Sequence, residues 1–213
     1  MKARREHRIS YWVLAGSVIA LVVVIVLVLQ RPTLRSEAVR LASCIKSQNA
    51  DCVLGFVSET EQRALGGDQA AHLRMVEYSI ALNVSAGGVE VTTATENAEF
   101  VGRGEFYAKW DTPEGTVEVP LDLAYTDEGI RGTNLVTTLL LQRWRRDPRP
   151  VEATTRSGSV MMRILRGVKE DRAHLESLGM QGLLYKNKAM TLSEFEAYCS
   201  DAVRRAENPQ PSE

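Results

Sequence analysis

The 213-residue sequence lacks the short motifs that identify metal centres and nucleophilic enzymes. It has no CxxC or HExxH spacing and no internal repeat. Two serines in TRSGSV, Ser157 and Ser159, lack both the nucleophile-elbow spacing and a base close by. We therefore predict no metal and no cofactor, and the sequence does not support a hydrolase.

Cysteine is scarce, with three residues in the chain. Cys44 and Cys52 flank the polar turn KSQNAD between two predicted short helices, so their Cβ atoms could meet across the turn. In an oxidising compartment this pair could form a disulfide, and two small buried thiols are the alternative. Cys199 has no evident partner and is predicted to be a core residue.

Neither sign of charge dominates, since the chain has 26 basic and 27 acidic residues. The first thirty residues include four Lys or Arg and one Glu, which leaves 22 basic and 26 acidic residues after Gln30. Surfaces that bind nucleic acid are usually basic. The mildly acidic balance therefore argues against nucleic acid as a partner.

One long hydrophobic run comprises nineteen uncharged residues from Tyr11 to Leu29. A helix of this length covers about 30 Å, the thickness of the hydrocarbon core of a bilayer. No cleavage site with small residues follows, which favours a permanent membrane helix over the alternative of an unusual signal peptide. Because more Lys and Arg precede the run than follow it, we predict a single-pass protein of the cell membrane with a cytoplasmic N-terminus and an extracytoplasmic C-terminal domain.

After Pro32 the pattern begins as helical, and the predicted helix starts are the caps Ser36, Asp51 and Asp68 and a capping box at Ser58 and Glu61. It then changes to alternation typical of half-buried strands. Predicted strands cover residues 88–95, 98–111, 117–126 and 130–145. Gly102 and Gly104 are predicted on the inward face of the second strand, where they would let the sheet curve.

Beyond the linker of residues 147–150, the sequence predicts an amphipathic helix that ends at Gly179, a connector or small hairpin, and a last helix opened by a capping box at Thr191 and Glu194. The predicted organisation is a cytoplasmic N-terminus (1–8), a transmembrane helix (9–30), an α+β domain (31–149), a C-terminal helical segment (150–206) and a disordered tail (207–213).

The order of helices followed by an antiparallel sheet resembles the NTF2-like (cystatin-like) superfamily over about residues 36–146. The helical part of this resemblance includes the segment AVRLASCIKSQNADCVLGFVSETEQRAL. The predicted fold class is α+β: an N-terminal transmembrane helix, then helices packed on a curved antiparallel sheet as an NTF2-like roll, then C-terminal helices. The resemblance implies a cone-shaped sheet with a pocket, which serves catalysis in some members and binding or assembly in others.

NTF2-like enzymes place a carboxylate, histidine or tyrosine inside the cone. In this sequence the inward positions of the two clearest strands are apolar or glycine apart from Tyr125. His72 lies on the helix expected to close the pocket, one residue off its buried face. His72 and Tyr125 are therefore the catalytic candidates for an enzyme of the isomerase or dehydratase type.

The segment QRWRRDPRP supplies the binding candidates Arg143, Trp144, Arg145 and Arg146. Cations beside an aromatic residue suit anionic headgroups or an acidic partner. The alternative, which we favour, is a solvated strand end with Trp144 packed on the C-terminal helices. Our preferred interpretation is a non-enzymatic, membrane-anchored binding or scaffold module of the cell envelope, with a protein partner or a small apolar ligand.

Overall fold

The computed structural model describes residues 17–22, 32–81, 88–95, 97–113, 115–153 and 155–207. Its chain divides into two compact units, Met1–Thr33 and Leu34–Glu213. In the first unit, residues 17–22 are helical and exposed. The second unit contains the sheet and both groups of helices that flank it in the sequence.

The structure corrects the predicted fold class in its membrane-spanning part. Among the described residues, no helix is both long enough and apolar enough to cross a bilayer. The six helical residues 17–22 extend for about 9 Å. The rest of the predicted span, residues 9–16 and 23–30, lies outside the described residues, as do residues 1–8. What is observed is an α+β fold with a four-stranded antiparallel sheet and several helices.

In the second unit four helices precede the sheet, and side chains cap three of them as local hydrogen bonding requires. The first of them begins at Leu34, two residues before the predicted cap Ser36. Ser58 caps the third helix and Asp68 the fourth, as predicted, whereas Asn49 replaces Asp51 as the cap of the second, because that helix already begins at Ala50. The helices are α1 (Leu34–Lys46), α2 (Ala50–Leu54), α3 (Glu59–Leu65) and α4 (Gln69–Ser79).

A disulfide joins α1 to α2 across the short polar turn. It links Cys44 and Cys52, whose Cα atoms are 5.9 Å apart. Closing a loop of this size typically stabilises a fold by about 2–3 kcal/mol. Cys199 is a free, fully buried thiol, and burial raises its pKa to about 12. It is a core residue, as predicted.

The sheet has the antiparallel order β1-β2-β3-β4. Its strands are β1 (Glu90–Thr93), β2 (Arg103–Thr112), β3 (Gly115–Thr126) and β4 (Gly129–Gly132). Side chains alternate between the two faces of β2 and β3, as predicted. The outward face has cross-strand ion pairs, such as Lys109 with Glu118 at 2.9 Å. The sheet therefore has one apolar and one charged face.

The predicted second strand starts too early. Residues 98–101 form a single helical turn, α5 (Ala98–Val101), and the strand begins only at Arg103. Gly102 ends this turn with a φ of 71°, so it does not belong to the strand. Gly104 does lie on the inward face, where an added Cβ would approach the Cβ of Ala98 to 2.7 Å. Close packing of α5 on β2 thus explains Gly104.

The predicted last strand is also wrong over most of its length. Only β4 is extended, and the chain then forms α6 (Leu135–Arg145). Its buried positions Leu135, Val136, Leu139 and Leu140 recur at helical spacing, which buries one side of a helix. Tertiary burial has here overridden the strand preference of the Val and Thr residues.

The C-terminal segment belongs to the same compact unit as the sheet. It consists of α7 (Arg156–Ser177), the hairpin β5 (Gly182–Tyr185) and β6 (Lys188–Thr191), and α8 (Leu192–Glu207). The capping box is present, because Thr191 N–H donates to the Glu194 carboxylate at 2.8 Å and Glu194 N–H donates to the Thr191 hydroxyl at 3.2 Å. Of the predicted tail, Glu207 ends α8, and residues 208–213 lie outside the described residues.

Trp144 joins α6 to the C-terminal helices. It is 3% exposed, stacks 6.4 Å from the ring of Phe195, and lies directly over Gly167 of α7. A Cβ on Gly167 would lie 2.2 Å from Cδ1 of Trp144. Only glycine at this position lets the two helices approach so closely.

Gly167→Ala is therefore expected to destabilise the fold by about 1–3 kcal/mol through overpacking. In an unobstructed helix the same change would stabilise by about 1 kcal/mol. Urea denaturation measures the difference. Gly158→Ala in the same helix is the control and should cost less stability than Gly167→Ala. The closest atom to its added Cβ is the Thr155 hydroxyl oxygen, at 3.0 Å. A Gly167→Ala variant as stable as the wild type would contradict the packing.

Candidate functional site

Apolar side chains fill the inward face of the sheet, where the resemblance implies a pocket. The side chains of this face from Phe106 to Trp110 and from Val117 to Leu123 are at most 4% exposed, and none carries an ionisable group. Tyr125, which shares this phase at the end of β3, is 45% exposed. Helix α1 packs against both strands and α6 against β3. The face offers no acid or base to a substrate. Its residues are Phe106, Ala108, Trp110, Val117, Val119, Leu121 and Leu123.

The structure does not pair the two predicted catalytic residues. His72 is 8% exposed, so it lies on the buried face after all, and its Nε2 is 2.9 Å from the carbonyl oxygen of Gly66. Tyr125 is 45% exposed at the end of β3, and its hydroxyl donates to the Glu99 carboxylate. Partial burial and that carboxylate raise the pKa of Tyr125 to about 12. The two side chains bind different partners, and the groove that His72 lines does not include Tyr125.

Trp144 and Arg143, two of the predicted binding residues, make internal contacts. The indole Nε1 of Trp144 donates to the Asp171 carboxylate at 2.7 Å. The guanidinium of Arg143 lies 4.5 Å above the ring of Tyr78 and 3.9 Å from Asp171. Trp144 thus packs on the C-terminal helices, although it does so from a helix end and not from a strand end. Arg145 is exposed and Arg146 is half-buried.

A carboxylate that the sequence did not indicate as important lies at the centre of this unit. Glu61 is fully buried, and its two oxygens accept the N–H groups of Leu135 at 2.7 Å and Thr137 at 3.1 Å. The capping box is therefore half formed: Ser58 accepts from Glu61 N–H, but the Glu61 side chain caps α6. Asn134, the residue before α6, makes no capping bond with its side chain.

Burial raises the pKa of Glu61 to about 7, and the N–H groups of Thr137 and Leu135 oppose this shift. A pKa near neutrality is typical of an acid or base catalyst. However, with none of its surface accessible, Glu61 cannot reach a substrate. Its sequence separation of 74 residues from Leu135 explains why local patterns did not reveal its role.

Large apolar side chains are exposed around α5. Phe100 is 92% and Val101 61% exposed. Tyr125 makes two hydrogen bonds to this turn: its hydroxyl donates to the Glu99 carboxylate, and its N–H donates to the carbonyl of Gly102 at 3.0 Å. We call Phe100, Val101 and Tyr125 the α5 surface. Beside it is an open groove of about 450 Å³, lined partly by Thr93, Phe100 and Phe106.

The described residues contain no group of three or more His, Cys, Asp or Glu arranged to hold a metal ion. In comparisons with known proteins, no family model, no curated protein and no solved structure matches the chain. The NTF2-like resemblance therefore stays a prediction.

The raised pKa of Glu61 predicts a pH dependence of stability. The folded protein binds the proton of the Glu61 carboxyl more tightly than the unfolded chain does. The stability that this protonation contributes is therefore complete below pH 4.5 and is lost as the pH rises through about 7. The loss is at most about 3 kcal/mol. Glu61→Gln cannot ionise, so relative to the wild type its free energy of unfolding should rise across this range in urea titrations.

The control is Glu59→Gln, an exposed position in the same helix, which should parallel the wild type. If the wild type instead gained stability over Glu61→Gln with rising pH, the two N–H groups would outweigh burial, and the raised pKa would be wrong.

Proposed function

We propose that the chain is a non-enzymatic binding module that works outside the cytoplasm and binds an extended, apolar segment of a partner protein beside α5. The observation that carries the proposal is the near-complete exposure of Phe100 beside β1, which is an edge strand among the described residues. A large aromatic side chain held in this way resembles the anchors that contribute most of the energy at protein interfaces.

Two properties of the scaffold support a binding role in an oxidising compartment. The disulfide between Cys44 and Cys52 is a bond that persists outside the cytoplasm and is rare within it. The packed inward face of the sheet provides no site for acid–base chemistry, so the surface is where this unit can act.

The sheet edge beside the groove favours an extended segment as the occupant. The opposite edge is covered, since Gly132 N–H donates to the carbonyl of Phe56 at 2.7 Å. In the described structure β1 pairs only with β2. Ala94 N–H donates to Glu105, so by alternation the main-chain groups of Val91 and Thr93 point away from β2. They can pair with an added strand, while the groove receives its apolar side chains.

The test is Phe100→benzoylphenylalanine with photocrosslinking in intact cells of the native host. We expect one discrete adduct with another protein. Adding Thr93→Pro should reduce its yield at least about fivefold, since it removes one outward N–H worth about 1 kcal/mol without disturbing the pairing with β2. Thr93→Ala, which keeps the N–H, should retain the adduct.

Benzoylphenylalanine at Glu118, exposed on the outward face of the sheet, is the position control and should give no such adduct. Three results would contradict the proposal: no adduct at position 100, an adduct of twice the mass of this chain, or a yield that Thr93→Pro leaves unchanged.

A further inference from the structure

A second concave region lies where the last turn of α6 meets α7. It has a volume of about 430 Å³, which is within the range of sites for small molecules. Its walls include Arg143, Arg146 and Arg149. None of the residues of the α5 surface lines it, so the two regions are independent.

The acidic residues of this cleft are already engaged. Asp171 accepts from Trp144 and lies near Arg143. Asp147 and Glu170 both bind Arg149, at 2.7 and 2.6 Å. The guanidinium of Arg149 accordingly lowers the pKa of Asp147 and of Glu170. Arg166 adds a further pair with Asp147 at 3.2 Å. These carboxylates are thus not available to neutralise further arginines.

Arg146 is the exception among the arginines that line the cleft. It is half-buried, yet its guanidinium has no ion pair or hydrogen bond to any residue that the structure describes. Arg163 packs beside the same helix end, where it donates to the carbonyl of Arg145 at 3.5 Å and has no acidic partner in the described part of the chain. The positive charges of Arg146 and Arg163 are therefore not balanced by a bonded carboxylate among the described residues.

The local charge balance is positive, although the whole chain has a net charge of −1. Four arginines and three carboxylates line the cleft or bond to its lining, an excess of one positive charge. The dipole at the C-terminal end of α6 offsets only about half a charge. The arginines are Arg143, Arg146, Arg149 and Arg166, and the carboxylates are those of Asp147, Glu170 and Asp171.

We propose that this cleft binds a small molecule with a phosphate or carboxylate group, which pairs with the guanidinium of Arg146. The planar guanidinium fits two oxygens of such a group at once. Concave walls favour a compact anion over a flat membrane surface. The carboxylates of Glu170 and Asp171 at the wall would repel an extended polyanion, which limits the ligand to one or two anionic groups.

Calorimetric titration of the full chain with inorganic pyrophosphate at low ionic strength tests the proposal. We expect saturable binding of one pyrophosphate per chain. Arg146→Gln should weaken it at least about tenfold, through loss of a charged hydrogen bond. Since Arg146 makes no side-chain bond within the described structure, this variant should melt at the wild-type temperature. Arg205→Gln, an equal loss of charge at an exposed site on α8, should leave the affinity unchanged.

The proposal fails if pyrophosphate does not bind, or if Arg205→Gln weakens binding as much as Arg146→Gln, because a general charge effect would then explain it. Vesicles of phosphatidylglycerol and phosphatidylcholine form the second arm of the experiment. Binding to the vesicles without binding to pyrophosphate would assign the arginines to a membrane surface and would also overturn the proposal.

Discussion

The carboxylate of Glu61 connects two parts of the chain that are far apart in sequence. It lies on α3, before the sheet, and it accepts the first N–H groups of α6, after the sheet. The first N–H groups of a helix have no partners within the helix, and burying them without an acceptor would cost about 1–3 kcal/mol each. This contact fixes where α6 begins, and therefore which of its sides covers β3 and where Trp144 meets α7.

Local chemistry was sufficient to predict much of this fold. Strand β3 follows the alternation of its sequence, and the caps Ser58 and Asp68 and the box at Thr191 and Glu194 depend on bonds between residues three apart. The errors occur where distant contacts decide. Segment 135–145 contains Val and Thr residues that favour a strand, but its buried positions recur at helical spacing and Glu61 caps it from a distant part of the chain. Ala98–Val101 continues the alternation of β2 until Gly102 interrupts it.

The candidate site residues likewise differ in whether local sequence or distant contacts determine their surroundings. Tyr125 shares the inward phase of β3, but at the end of this strand it is 45% exposed and bonded to Glu99. The predicted packing of Trp144 on the C-terminal helices is confirmed. The contacts of Trp144 and Arg143 with Asp171 were not predicted, because this carboxylate lies on a helix that follows later in the chain. In contrast, the alternation places Phe100 inward on a strand, and it proved to be the most exposed large apolar side chain described.

Amide hydrogen exchange at Leu135 and Thr137, followed by NMR, is the most direct test of the role of Glu61. If the carboxylate holds the first turn of α6, both amides should exchange only as fast as global unfolding allows, in spite of their position at the start of a helix. Exchange of these two amides at the rate of a frayed helix end would show that Glu61 does not hold α6 in place.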